Sequence, residues 1–155
     1  LYMGNYAEAL KAANEVIARH DTLLDLTRYE VVKPAGQIGR TNVPDADANP
    51  ESIFIKYAPY IFGLSSQVFP SDSLLNLYED ADMRKVLFMA ETFRGKPLPR
   101  PIWVPYVRAN TAISTPELFL IAAECEARVG YMPHALALVN KLRAHRIKDN
   151  GYVGG

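Results

Sequence analysis

Apolar and small residues recur at helical spacing in three places along this chain. Between residues 5 and about 20 they are Ala9, Ala13, Val16 and Ile17, at i, i+4, i+7 and i+8, which puts them on one face of a helix. Asn5, three residues ahead of Glu8, has the form of a capping box, in which each side chain satisfies an orphan backbone donor. Residues 116–129 place Leu118, Ile121, Ala122, Cys125 and Val129 at i, i+3, i+4, i+7 and i+11. Ser114-Thr115-Pro116-Glu117 supplies that helix with a polar cap, a proline in the first turn and an early acid, and Gly130 ends it. The third pattern, 132–146, opens at Pro133 and carries Ala135, Leu138, Val139 and Leu142.

The stretch from about 30 to 113 has a different texture and predicts a loop-rich insertion. Residues 33–50 gather Pro34, Gly36, Gly39, Pro44 and Pro50 among polar residues, which predicts a long loop. Residues 52–60 are β-branched and aromatic up to Pro59 and predict a strand. A short helix is expected over 72–78, capped by Ser71 or Asp72, with Leu74, Leu75 and Tyr78 on one face. Residues 84–93 fit helix or strand. Pro97, Pro99, Pro101 and Pro105 remove backbone donors and exclude the helical region before them, so 95–105 is expected to be extended.

An internal repeat relates the first pattern to the third. At an offset of 126 residues, Gly4, Ala9, Leu10, Asn14 and Ala18 coincide with Gly130, Ala135, Leu136, Asn140 and Ala144. A glycine that lets the chain reverse, followed by a helix with a small residue where a neighbour crosses closely, is the plan of a tetratricopeptide repeat. The later unit is whole, whereas the earlier one shows its second helix and a short tail, Leu1 to Met3. Half a hairpin leaves an apolar face uncovered, so a longer parent chain is expected.

Charge and composition narrow the function classes. Seventeen basic and seventeen acidic residues cancel, so no global field concentrates nucleic acid or an anionic membrane at this protein. With 49% hydrophobic and 22% charged residues over 155 positions, one ordinary globular domain is expected. The longest apolar runs, such as 118–123, fall short of the roughly 20 residues a spanning helix needs. The opening residues show no signal-peptide pattern.

The order of motifs resembles one family. The helix G-N-Y-A-E-A-L-K-A-A-N-E-V-I, then N-P-E-S-I-F-I, Y-E-D-A-D-M-R, E-L-F-L-I-A-A-E-C-E-A-R-V-G and A-L-A-L-V-N-K-L-R-A-H-R, is similar to the SusD/RagB family of outer-membrane nutrient-binding lipoproteins. The resemblance covers residues 1–146. It implies a mainly α fold of tetratricopeptide-like hairpins with long loops and a small β element. It also implies a non-catalytic role at a bacterial cell surface: capture of a glycan, or sometimes a peptide, for a TonB-dependent porin of the SusC type. Members are lipid-anchored, so the anchor is expected outside these residues. A tetratricopeptide-type protein-binding scaffold is the alternative, and a glycoside hydrolase a further rival.

Asp45, Asp47 and Asn49 begin like a calcium loop, but Pro50 stands where an EF-hand needs glycine and Lys56 where it needs glutamate. Glu79, Asp80 and Asp82 beside Arg84 are read as salt-bridged acids and not a glycosidase pair, and D-x-R is a structural feature of the family resemblance. His20, His134 and His145 are too scattered for a metal site, and Cys125 on its apolar stripe is read as a buried hydrophobe. Lys141, Arg143, His145, Arg146 and Lys148 complement a helix C-terminus. No cofactor and no metal is expected. The ligand-contact candidates are aromatic: Tyr57, Tyr60, Phe62 and Phe69 around one loop, Trp103 and Tyr106 in the proline-rich stretch. Flat rings there suit the C–H faces of sugars. A rival reading is that these rings merely attach the loops to the helices.

Overall fold

A computed structural model describes residues 1–32, 40–56, 69–93, 96–103 and 112–148, with Val32, Arg40, Thr41, Phe93 and Trp103 described by their backbone alone. The fold is mainly α with small antiparallel ribbons. Helix α1 spans Tyr6–Ile17 and begins as its sequence predicts: Asn5 Oδ1 accepts from the Glu8 N–H at 3.3 Å. The helices α4, Thr115–Arg128, and α5, Met132–Ala144, are joined by three residues and pack against each other. Helix α1 packs on α4 as well, making α4 the middle of three helices. Phe119, Ala122 and Cys125 of α4 are almost wholly buried, with Ala13 of α1 and Ala135 and Leu142 of α5.

Both glycines of the repeat carry the reversal assigned to them. Gly130 has φ +88° and Gly4 φ +75°, the left-handed region that an L side chain enters at a cost. After α4 the Tyr131 N–H returns to the Glu126 carbonyl at 2.8 Å and the Gly130 N–H to Ala127 at 3.2 Å, a Schellman closure. Before α1 the Gly4 N–H reaches the Leu1 carbonyl at 2.9 Å with the same three-residue step.

The start of α4 departs from expectation. Ser114 makes no side-chain capping bond. Its backbone bridges Ser52, and the next residue is held instead by Glu51, whose carbonyl accepts from Thr115 N at 2.9 Å and Oγ1 at 3.3 Å. The strand expected over 52–60 starts at the same junction. Its described part forms one bridge, Ser52 with Ser114, and Ile53 and Phe54 both donate to the Ile113 carbonyl. Residues 57–60 of that stretch lie outside the described residues.

The insertion holds more structure than its composition suggests. Strand β1, Val31–Val32, pairs antiparallel with β2, Arg40–Thr41, which falls inside the 33–50 stretch expected to be loop. Helix α2 covers Asp72–Leu75 with Ser71 as its cap, then tightens into three-residue bonds through Tyr78, which shortens the helix expected there. The ambiguous 84–93 stretch is helix and then strand: α3, Met83–Phe88, runs directly into β3, Met89–Phe93. Strand β4, Lys96–Trp103, pairs antiparallel with β3 through an irregularity between Ala90 and Thr92. Three prolines are tolerated in β4 because, among the described residues, it pairs with β3 alone and so has an open edge. Leu24, Leu26, Val43, Met83 and Leu87 form a second small core beneath this region, flanked by Tyr29, Val31 and Phe88.

Candidate functional site

Of the aromatic candidates, Tyr57, Tyr60, Phe62 and Tyr106 lie outside the described residues. Trp103 closes β4, its backbone opposite Met89. Phe69 leads into α2 and is 38% exposed. What links these two positions is a surface ion pair, since Arg100 of β4 donates through Nη2 to Asp72 Oδ1 at the start of α2. Phe69 and Trp103 each lie three residues from this pair, about 10 Å of extended chain. Two stretches far apart in sequence thus converge on one exposed edge. That edge offers an accessible aromatic ring together with a carboxylate and a guanidinium, the mixture of flat apolar and hydrogen-bonding surface that a polyhydroxylated ligand needs.

The charged clusters resolve into structure. Asp82, 2% exposed, caps α3 through the Arg84 N–H at 2.9 Å and holds the Arg84 guanidinium at 3.0 and 2.6 Å. This hydrogen bonding raises Arg84 above its ordinary pKa despite partial burial, and the guanidinium also lies 5.2 Å over the Tyr78 ring. Glu79 accepts from Arg143 at 2.7 Å and Asp80 from Lys85 at 3.3 Å. The cations at the end of α5 disperse similarly: Lys141 reaches Asp21 at 3.1 Å and lies 5.0 Å over Phe119. His145 Nδ1 meets the Lys141 carbonyl, and His134 Nδ1 lies 2.7 Å from Glu126 Oε1. Burial pushes the Cys125 thiol above its ordinary pKa, which keeps it protonated and a poor nucleophile.

One buried pair was not foreseen. Arg146 donates to Glu51 Oε1 through Nη2 and to the Leu24 carbonyl through Nη1, while the Leu24 N–H donates to the same Glu51 oxygen at 2.7 Å. Three segments meet there, and the Glu51 carbonyl adds the start of α4. Glu51 belongs to N-P-E-S and Arg146 ends L-R-A-H-R, so these two sequence motifs interlock as a clasp. The Asp45–Pro50 stretch serves it: Asn49 Oδ1 accepts from the Glu51 N–H at 2.9 Å and Ser52 Oγ donates to the Ala46 carbonyl at 2.8 Å.

An open apolar groove of about 400 Å³ runs between α4 and α5, lined by Leu120, Ala123, Glu124 and Ala127 on one side and Met132, Ala135, Leu136 and Val139 on the other. Sequence periodicity missed it because Leu120 lies off the main stripe of α4, although Leu136 was marked by the repeat. The chain matches no protein-family model and no curated protein sequence.

Proposed function

We propose that this chain is a non-catalytic ligand-capture module of the SusD/RagB type, built on tetratricopeptide-like helices and receiving a glycan on the edge shared by α2 and β4. The carrying observation is the convergence of the Phe69 and Trp103 stretches at the exposed Asp72–Arg100 pair. Glycines at positive φ at equivalent points of the repeat, with the helix order α1, α4, α5, support the helical-repeat frame. The surface lipoprotein setting and hand-over to a TonB-dependent porin belong to the same proposal and rest on the motif resemblance alone.

Titration calorimetry of the full chain with a panel of neutral oligosaccharides tests it. At least one should give a saturable heat, and Trp103→Ala should weaken that binding by about 1–3 kcal/mol through lost apolar contact, with the melting temperature little changed. No saturable heat across the panel, together with unfolding of the Trp103→Ala protein, would assign the rings to packing. The second reading, a protein-binding scaffold, is favoured by the apolar groove between α4 and α5.

A further inference from the structure

Arg100 stands on a bulge of the ribbon. In the β3–β4 register Thr92 is opposite Pro97 and Ala90 opposite Ile102, so Glu91 alone faces the stretch Leu98, Pro99, Arg100 and Pro101. Extra residues on one strand bow it away from its partner, and a bulge of this kind re-aims the side chain it carries. Pro99 and Pro101 stiffen the bow on both sides of Arg100, because each ring fixes its own φ and keeps the residue before it out of the helical region. Among the described residues Arg100 pairs not with Glu91 but with Asp72 of α2, to whose Oδ1 its Nη2 donates. That contact uses one N–H and one carboxylate oxygen, so a parallel pair of guanidinium N–H donors remains for a second acceptor. The two side chains are 44% and 74% exposed, and an ion pair so exposed contributes little to stability.

We propose that the edge shared by α2 and β4 selects a saccharide that bears a carboxylate, a uronic acid, and that Arg100 is the residue that selects it. The inference rests on the capture reading above and narrows its ligand; neutral oligosaccharides bind the same edge more weakly. A planar carboxylate accepts both parallel N–H donors of a guanidinium at once, whereas a hydroxyl oxygen does not match that fork. Holding Arg100 between two prolines reduces the freedom lost when the ligand binds. Asp72 keeps the guanidinium in place but offsets part of its charge, so it steadies the site and lowers its affinity for an anion. Phe69, three residues ahead of Asp72 and partly exposed, supplies the flat apolar surface for a sugar ring.

Calorimetric titration of the full chain with trigalacturonate and trimannuronate, each compared with its methyl ester, is the test, since acid and ester share rings and linkages and differ in charge. At least one acid should bind about tenfold or more tightly than its ester, with the difference shrinking as sodium chloride is raised. Arg100→Gln should reduce binding of that acid to the level of its ester while the melting temperature stays the same. Asp72→Asn keeps an oxygen for Nη2 and removes the charge, so it should strengthen binding of the acid severalfold, a gain that a merely structural ion pair would not give. Esters that bind as tightly as their acids, or an Asp72→Asn protein that binds the acid more weakly, overturn the proposal. Saturable binding of neutral oligosaccharides with none of either acid overturns this inference alone. No binding of acids, esters or neutral oligosaccharides overturns the capture reading with it.

Discussion

At the scale of single residues, the side chains that matter most are those whose partners are distant in sequence. Glu51 and Arg146 are 8% and 6% exposed, and each satisfies backbone groups as well as the other's charge. Removing either leaves a buried charge without its counterion, so Glu51→Gln or Arg146→Met should cost about 3–5 kcal/mol in urea unfolding. Asp25 gives a pH signature. Burial raises its carboxyl, but hydrogen bonds from Thr27 Oγ1 at 2.6 Å, Thr27 N at 3.1 Å and Arg28 Nε at 2.8 Å outweigh that and hold the pKa below its ordinary value. A carboxyl lowered in the folded state contributes stability that is full above the unfolded pKa of about 3.9 and disappears as pH falls through the folded pKa. The melting-temperature gap between wild type and Asp25→Asn should accordingly be constant above about pH 5 and shrink below about pH 4.

At the scale of elements, most helix ends are chosen locally. Asn5, Ser71 and Asp82 each cap the helix that follows, as their short polar side chains favour. Gly130 ends α4 by conformation alone: a Cβ built on it meets nothing within 4 Å, so Gly130→Ala isolates backbone strain from crowding. The expected loss is about 1–2 kcal/mol, read from the urea midpoint at unchanged m-value. The start of α4 is decided otherwise. Ser114 has the right chemistry for a cap, yet its segment is drawn into a bridge with Ser52, and Glu51 takes over as acceptor. Residues 84–93 fit two periodicities because they contain two elements, with the change at Met89 set by pairing opposite Trp103.

At the scale of the molecule, the protein divides into a three-helix stack and a proline-bearing ribbon whose stabilities should differ. Helix α4 is covered by α1 and α5, whereas β3 and β4 pair only with each other among the described residues. Hydrogen exchange read by mass spectrometry should therefore find the slowest amides in α4, with those of β3 and β4 opening at lower free energy. Comparable protection in the ribbon would mean that the two regions open together.

Helix positions and the reversal at Gly130 were legible in the residue order, because periodicity, capping and backbone freedom act within a few positions of chain. The extended nature of the proline-rich stretch was legible for the same reason. What required the folded chain is every arrangement made across long separations: the Glu51–Arg146 clasp, the Asp72–Arg100 contact that joins the Phe69 and Trp103 stretches, and the open groove beside Leu136. Periodicity tells which side of a helix is apolar. Whether that side is covered depends on which distant segment loop closure brings against it.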